Sequence, residues 1–566
     1  MLPLYADQPD EMDRFGSILR LLSVETLDSR LGPSKDTNRV QAIKAKAGPA
    51  RWKTVEFYVY AVVFAIAVPL MFKAAVDASS ARSPNYSLYS DLLEDGWMLG
   101  RKVDNSDAQY SGFRNNLPYL SAVILAHLCG RYLTGTKISR FSYDIGFGIV
   151  YLSVLYGVSV FKILLLLTIN YKIAQLDPKT GKVVTWLFAM VTLFANELLE
   201  GYPLAYIHPS LKFIDTNFGG LMPRWDVNFN ISVLRLVSYN FDYYWARENK
   251  QPKADKDEKV TRLDEKQRVS LLLDLQDYNY RNYLAYALYA PLFIAGPILT
   301  FNDFVRQSQS PLPTINRRFI LRYGVRFLFC MLTMETLLHF TYVVAISQRR
   351  AWEGDSPFQI SMIGLFNLNI IWLKLLLPWR LFRLWGLLDA IDAPENMVRC
   401  VNNNYSALSF WRSWHRSYNR WLTRYLYIPL GGSKRPIINS LVIFSFVAVW
   451  HDIQLHLLFW GWLVVLFILP EVGATMVVPR SKYGDKPFYR HLCALGAVIN
   501  IWMMMIANLI GFCVHLDGMQ EMLHSMFRTV DGLKYVIVST SCLFVGAQAM
   551  FEFREREHRK GIDLRC

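Results

Sequence analysis

Two histidines are the residues in this chain whose settings point to chemistry. His451 follows directly on the apolar run Leu441 to Trp450. An ionisable side chain is expensive there and marks a functional site by default. His415 stands in a different setting, Phe410-Trp411-Arg412-Ser413-Trp414-His415-Arg416-Ser417, followed by Tyr427-Ile428-Pro429-Leu430-Gly431-Gly432. A neutral imidazole, with an ordinary pKa of about 6.5, is the side chain best suited to take up a proton at physiological pH. Each histidine also has a plainer reading. His451 can be a helix-end residue bonded to a neighbouring carbonyl, with Asp452 starting a turn. His415 can belong to an interfacial helix whose tryptophans and arginines anchor at lipid headgroups.

The spacing around His415 predicts a helix with two stripes. Trp411, Trp414, Tyr418, Trp421 and Tyr425 alternate three and four apart, which places them on one face. Arg412, Arg416, Arg420 and Arg424 recur every fourth residue and form a second stripe beside it. His415 falls at the seam. Arg412, Arg416 and Arg424 are therefore candidates for contacting phosphates, with plain headgroup anchoring as the alternative. Pro429 and Gly431-Gly432 end the helix. No metal site is expected: HExxH is absent, and His451 and His456 lie five apart, off one helical face. There is no Gly-x-Ser-x-Gly elbow and no phosphate-cradling glycine loop. The cysteines at 129, 330, 400, 493, 513, 542 and 566 are scattered and contain no Cys-x-x-Cys, so neither a zinc site nor a disulfide framework is indicated.

The elements that must position these residues are membrane helices. Of 566 residues, 53% are hydrophobic and only 19% charged, and the apolar residues come in blocks of the ~20 residues a bilayer crossing needs. The expected fold class is all-α and polytopic, with about eleven transmembrane or re-entrant segments near 55–73, 117–134, 142–169, 184–205, 282–300, 319–346, 360–391, 437–450, 455–475, 491–514 and 533–551. Pro378, among Lys374, Arg380 and Arg383, argues that 360–391 is two pieces. The segment Trp225–Trp245 alternates apolar and polar residues and is expected to lie in the interface. Residues 13–31 read as an amphipathic helix, capped by Asp13 and stopped at Gly32-Pro33, which lies on the membrane surface or packs on the protein's own loops. The charged stretch 248–268 reads as a solvated loop. The layout is thus a polar N-terminal segment (1–54), a membrane domain (55–551) with its catalytic region at 400–455, and a basic tail (552–566). The start of the chain has no short apolar core, so the first span is expected to act as an uncleaved anchor. A net charge of +15 comes from basic residues that flank the apolar blocks, which suits anionic headgroups rather than nucleic acid.

The runs Phe410 to Ser417 and Tyr427 to Gly432, the helix ending Trp450-His451, and Pro291-Leu-Phe-Ile-Ala-Gly-Pro297 together resemble the membrane-bound O-acyltransferase (MBOAT) family. Gly100 to Ser106 and Pro357 to Trp372 resemble its fungal glycerol-uptake subgroup. The likeness covers nearly the whole chain from about residue 50. It implies tilted helices around a through-membrane tunnel, with acyl-CoA as cosubstrate entering from the cytosol. A lipid or glycan hydroxyl would arrive from the other side or from the bilayer. It further implies that His451 matches the family's catalytic histidine and His415 the second, more variable site position. Trp411, Trp414 and Trp450 would contact substrate beside Arg412, Arg416 and Arg424. The subgroup is linked to remodelling of glycosylphosphatidylinositol (GPI) anchors in the endoplasmic reticulum. Membrane lipids and GPI-anchored proteins are then the expected partners, and the endoplasmic reticulum or the plasma membrane the location. The spacing of Cys400 and His415 resembles that of the haem-ligating cysteine in hedgehog acyltransferase, a relative; a free or palmitoylated thiol is the plainer reading.

Three functions compete. The first is an acyl-CoA-dependent O-acyltransferase acting on a lyso-GPI lipid. The second is a proton-coupled glycerol or polyol carrier, which can also use intramembrane histidines. A carrier is expected to show paired carboxylates at mid-bilayer, for which Glu335 and Glu197 are the candidates, or matched internal halves, which are not visible. The third, a scaffold with a dead site, is disfavoured because both histidines are present.

Overall fold

In this computed structural model, residues 22–564 are described, apart from 35, 223, 250–262 and 514. One small antiparallel hairpin, β1 (Leu93–Asp95) and β2 (Lys102–Asp104), is set in an otherwise helical chain, with Leu93 opposite Asp104. The first half contains α1 (Val55–Ala78), α2 (Leu117–Thr134), α3 (Arg140–Tyr156), α4 (Ser159–Ala174), α5 (Pro178–Leu198) and α6 (Trp225–Glu248). There follow α7 (Arg317–Phe340), α8 (Pro357–Leu388), α9 (Ala407–Ser413), α10 (Arg416–Leu422), α11 (Pro436–His451), α12 (Leu455–Val477), α13 (Tyr489–Phe512), α14 (His515–Phe527) and α15 (Val530–Arg559).

Five of these, α1, α8, α12, α13 and α15, are long and apolar enough to cross a membrane. A sixth results if α7 and Val343–Arg349, bent by 50°, count as one span. Val59, Val62 and Ile66 of α1 are exposed, as lipid-facing residues are. The other expected segments differ in informative ways. Region 142–169 is two helices, because Gly157 turns the chain at φ +54° against Phe218, where a Cβ would collide with that residue's carbonyl. Region 282–300 holds only the short helices Tyr280–Ala287 and Ala290–Phe293 before the Gly296-Pro297 break.

Region 360–391 is one continuous helix, α8, and not two pieces. Ser356 and Gln359 form a capping box at its start, and Pro357 takes the N-terminal position that needs no N–H partner. Pro378 sacrifices one backbone bond, and packing against α7 and α1 holds the rod together. Its cations are paired internally: Lys374 reaches Asp107 at 2.6 Å, and Arg383 reaches Asp392 at 2.9 Å and Glu395 at 3.2 Å. Arg380 donates to Cys330 Sγ and to the carbonyls of Val24 and Glu25.

The segment laid in the interface is instead a central helix. α6 packs against α5 and α4, and its polar residues are buried: Arg235 donates to the carbonyls of Tyr286, Ala287 and Leu292, and Asn240 pairs with Asn170. Alternation misled because polar residues satisfied by one another can sit in a core.

Three polar stretches fold inward where they are described. Of the amphipathic helix expected at 13–31, residues 13–21 lie outside the described residues. Residues 22–31 are not helical apart from a 3-10 turn at Ser29–Leu31, and they run into the protein, with Glu25, Thr26 and Asp28 buried. Of the stretch expected as a solvated loop, 250–262 lie outside the described residues, and its end enters a capped helix, Glu265–Ser270, with Arg268 buried on Asp303 at 2.9 Å. The basic tail begins inside α15, where Glu552, Arg554 and Glu557 are buried and Arg399 grips Glu557 at 2.7 Å.

Candidate functional site

His415 does not ride on a continuous helix. α9 stops at Ser413 and α10 starts at Arg416, and His415 itself adopts φ 46°, ψ 50°. This is the left-handed region, costing a non-glycine residue of order 1–3 kcal/mol and persisting only where surroundings over-determine it. Those surroundings are visible. The Arg416 N–H donates to the Asn396 carbonyl at 2.9 Å, and the Ser417 N–H donates to Asn396 Oδ1 at 3.2 Å. Ser417 Oγ donates to the same oxygen and accepts the Ile298 N–H at 2.9 Å. The Pro291–Pro297 element therefore leads straight onto the histidine turn. The His415 ring stacks on Trp379, centroids 4.6 Å apart and 21° between planes.

His451 ends α11. Its ring meets Trp450 edge-on at 4.7 Å, and the Trp450 ring lies 6.1 Å from that of His415. Trp450 is fixed by its Nε1–H to the Asn230 carbonyl (2.9 Å) and by Tyr418, 4.4 Å away. Both imidazoles thus neighbour one indole, and both line a single cavity of ≈ 3030 Å³. That is well beyond the roughly 300–1,000 Å³ of ordinary small-molecule sites and is lipid-sized. Among the described residues neither imidazole has a hydrogen-bonded partner, so both are free to address a bound molecule.

Of the candidate substrate contacts, Trp411, Trp414 and Trp450 line this cavity, whereas Arg412, Arg416 and Arg424 do not. The helix break turns Arg412 outward, exposed at the end of α9. Arg416 lies 3.5 Å from Asp28 and 3.9 Å from Glu265, and Arg424 is held by Asp242 at 2.8 Å under the Trp245 ring. The arginine stripe is therefore mostly a set of internal ion pairs. Burial pushes the Glu265 carboxyl up, but Arg420, Arg30 and Arg416 outweigh it and hold the group down at about 2. Trp379, Asn396 and Asp28 carry no local motif, since each reaches the site through the fold, whereas Tyr418 belongs to the aromatic stripe and meets both His415 and Trp450.

Cys400 sits in the cavity wall, 5% exposed. Burial, with the Glu25 carboxylate adding to it, pushes its thiol up to about 12. That environment keeps the metal-free thiol neutral. The His127, Asp144 and Asp389 side chains offer ligand atoms within 4.8 Å of one another. Arg131 and Arg140 bind Asp389 at 3.1 and 2.7 Å, which makes this an ion network. Neither carboxylate expected of a carrier lines the cavity: Glu335 accepts the Tyr110 hydroxyl at 2.8 Å, and Glu197 faces Arg224 at the surface.

The fold and the site define a class: a multi-span helical membrane protein with two histidines on one lipid-sized cavity. Comparison with known proteins makes this specific. The sequence model of the MBOAT, membrane-bound O-acyltransferase family matches residues 182–515. The chain is 52% identical to "Membrane-bound O-acyltransferase GUP1" of Candida tropicalis over 98% of this chain and 97% of the relative. It is 51% identical to the Saccharomyces cerevisiae protein of that name, over 96% of this chain and 98% of the relative. Mouse "Protein-cysteine N-palmitoyltransferase HHAT" is 29% identical over 43% of this chain and 51% of its own length. The chain belongs to the membrane-bound O-acyltransferase family and is an acyltransferase; members of the family use acyl-CoA as cosubstrate.

Proposed function

We propose that the protein transfers a long-chain acyl group from acyl-CoA to the hydroxyl of a lyso-GPI lipid, with His451 as the base. The observation that carries this reading is that both histidines lie near Trp450, their rings 6.1 and 4.7 Å from its ring, in the wall of one lipid-sized cavity. His451 takes the proton from the acceptor hydroxyl as its oxygen attacks the thioester carbonyl. His415 donates to the oxygen on which negative charge develops. The tetrahedral centre then collapses, the C–S bond breaks, and the departing CoA sulfur takes the proton back from His451. No acyl-enzyme is required. Trp411, Trp414 and Trp450 bound the acyl path, and Arg412 is the arginine of the stripe left to meet a phosphate at the surface. No step runs through haem.

The same reading makes the cavity part of a tunnel through about eleven transmembrane or re-entrant segments. It places the enzyme in the endoplasmic reticulum, with GPI-anchored proteins as the beneficiaries. Fungal relatives named O-acyltransferases at over 50% identity support the reaction type. Purified, reconstituted protein given labelled acyl-CoA and lyso-GPI lipid tests the acceptor. Transfer to that lipid and not to glycerol or other lyso-phospholipids is expected; transfer only to another acceptor would replace it.

A further inference from the structure

His415 is held in a conformation its backbone resists, so the group that holds it matters to the reaction. Asn396, fully buried, supplies both acceptors that close the turn: its carbonyl takes the Arg416 N–H, and its Oδ1 takes the Ser417 N–H and Oγ–H. Among the described residues Asn396 Nδ2 has no hydrogen-bond partner, so the residue acts here through its oxygens. What fixes Asn396 is its neighbour: the Glu395 N–H donates to Asp28 Oδ2 at 3.1 Å. The same oxygen lies 3.5 Å from the Arg416 guanidinium, on the other side of the turn. Oδ1 of Asp28 binds Arg30 at 3.1 Å and faces Arg383 at 3.9 Å. One buried carboxylate from the N-terminal arm thus ties together both strands of chain that frame His415.

We propose that Asp28, acting through Asn396 and Arg416, is a positioning residue for His415, so that the polar N-terminal arm is a working part of the active site. The inference rests on the acyl-transfer reading for what His415 does, but the clamp itself is a matter of geometry. Removing the clamp lets residue 415 relax toward ordinary backbone angles and swings the imidazole away from the thioester oxygen. Misplacement of about 1 Å is enough to cost ~100-fold in rate. The donor, bound largely by apolar walls, stays bound.

The test uses full-length reconstituted protein and the variants Asp28→Asn, Asn396→Leu and Asn396→Asp. Asp28→Asn and Asn396→Leu are expected to lower kcat by roughly 10- to 100-fold with KM for acyl-CoA little changed, and Tm also falls in Asp28→Asn, whose three arginines lose a buried partner. Asn396→Asp keeps the accepting oxygen and is expected to restore most of the activity. In parallel, diethyl pyrocarbonate modification of His415 and His451 is followed by mass spectrometry. Modification of His415, and not of His451, should change several-fold in Asp28→Asn and Asn396→Leu. Unchanged kcat and unchanged His415 modification in folded Asn396→Leu would overturn the proposal. So would a joint fall of kcat, donor affinity and Tm that Asn396→Asp fails to rescue. If wild type shows no acyl transfer, the reaction reading fails by itself, and the modification pattern still decides the clamp.

Discussion

The two histidines reach the same cavity by opposite structural routes. His451 is carried to it at the end of α11, in ordinary helical geometry. His415 sits on a strained turn between two short helices, with φ 46°. It is braced by Asn396 and Trp379, and behind them by Asp28 and Glu265. A base that takes a proton from a mobile hydroxyl can be delivered by a helix end. A donor aimed at one developing oxyanion has to be placed against backbone preference, and the surrounding fold supplies that placement.

The largest way to break this comparison is to remove the base. His451→Ala should cost about 10³-fold in kcat, within the range for general acid–base catalysis, with acyl-CoA binding retained. His415→Ala should cost about 100-fold, the lower end for loss of one oxyanion donor. An equal loss from both would show that the two roles are not separable. Trp379→Ala removes the surface on which only His415 stacks. A stacking pair is worth about 1 kcal/mol, so a several-fold loss of kcat is expected. The same loss in a His415→Ala background would argue that Trp379 acts elsewhere.

The smallest effect concerns pH and stability. Glu265, held at about 2 against an ordinary 4.5, has a depressed folded-state value. Its contribution is therefore complete above about 4.5 and is lost as pH falls toward 2. Glu265→Gln should flatten the fall of Tm with acid across that window; an unchanged curve would remove Glu265 from the brace.

The helical, membrane character of the chain was legible because apolar blocks of bilayer length are a strong signal. The histidines stood out by type and setting, and the structure brings them into the wall of one cavity with Trp411, Trp414 and Trp450, the tryptophans the resemblance implied as substrate contacts. The helix through 411–425 was not legible, because its spacing is helical on both sides of a break confined to Trp414 and His415, and the break comes from Asn396, a distant partner. α6 was misplaced for a related reason: Arg235 and Asn240 are polar by type, but their acceptors come from other elements. The burial of Asp28, within the helix expected at 13–31, and of Glu265, within the loop expected at 248–268, was not legible because charge does not reveal a buried counter-charge; both meet arginines far along the chain.

The central claim is that His451 is the base of an acyl transfer carried out in this cavity. Its most direct test is single-turnover transfer from labelled long-chain acyl-CoA to lyso-GPI lipid in reconstituted wild type and His451→Ala, with acyl-CoA binding measured on both. The account predicts transfer by wild type, a loss of about 10³-fold in the variant and unchanged acyl-CoA affinity. Transfer by His451→Ala at the wild-type rate would contradict it.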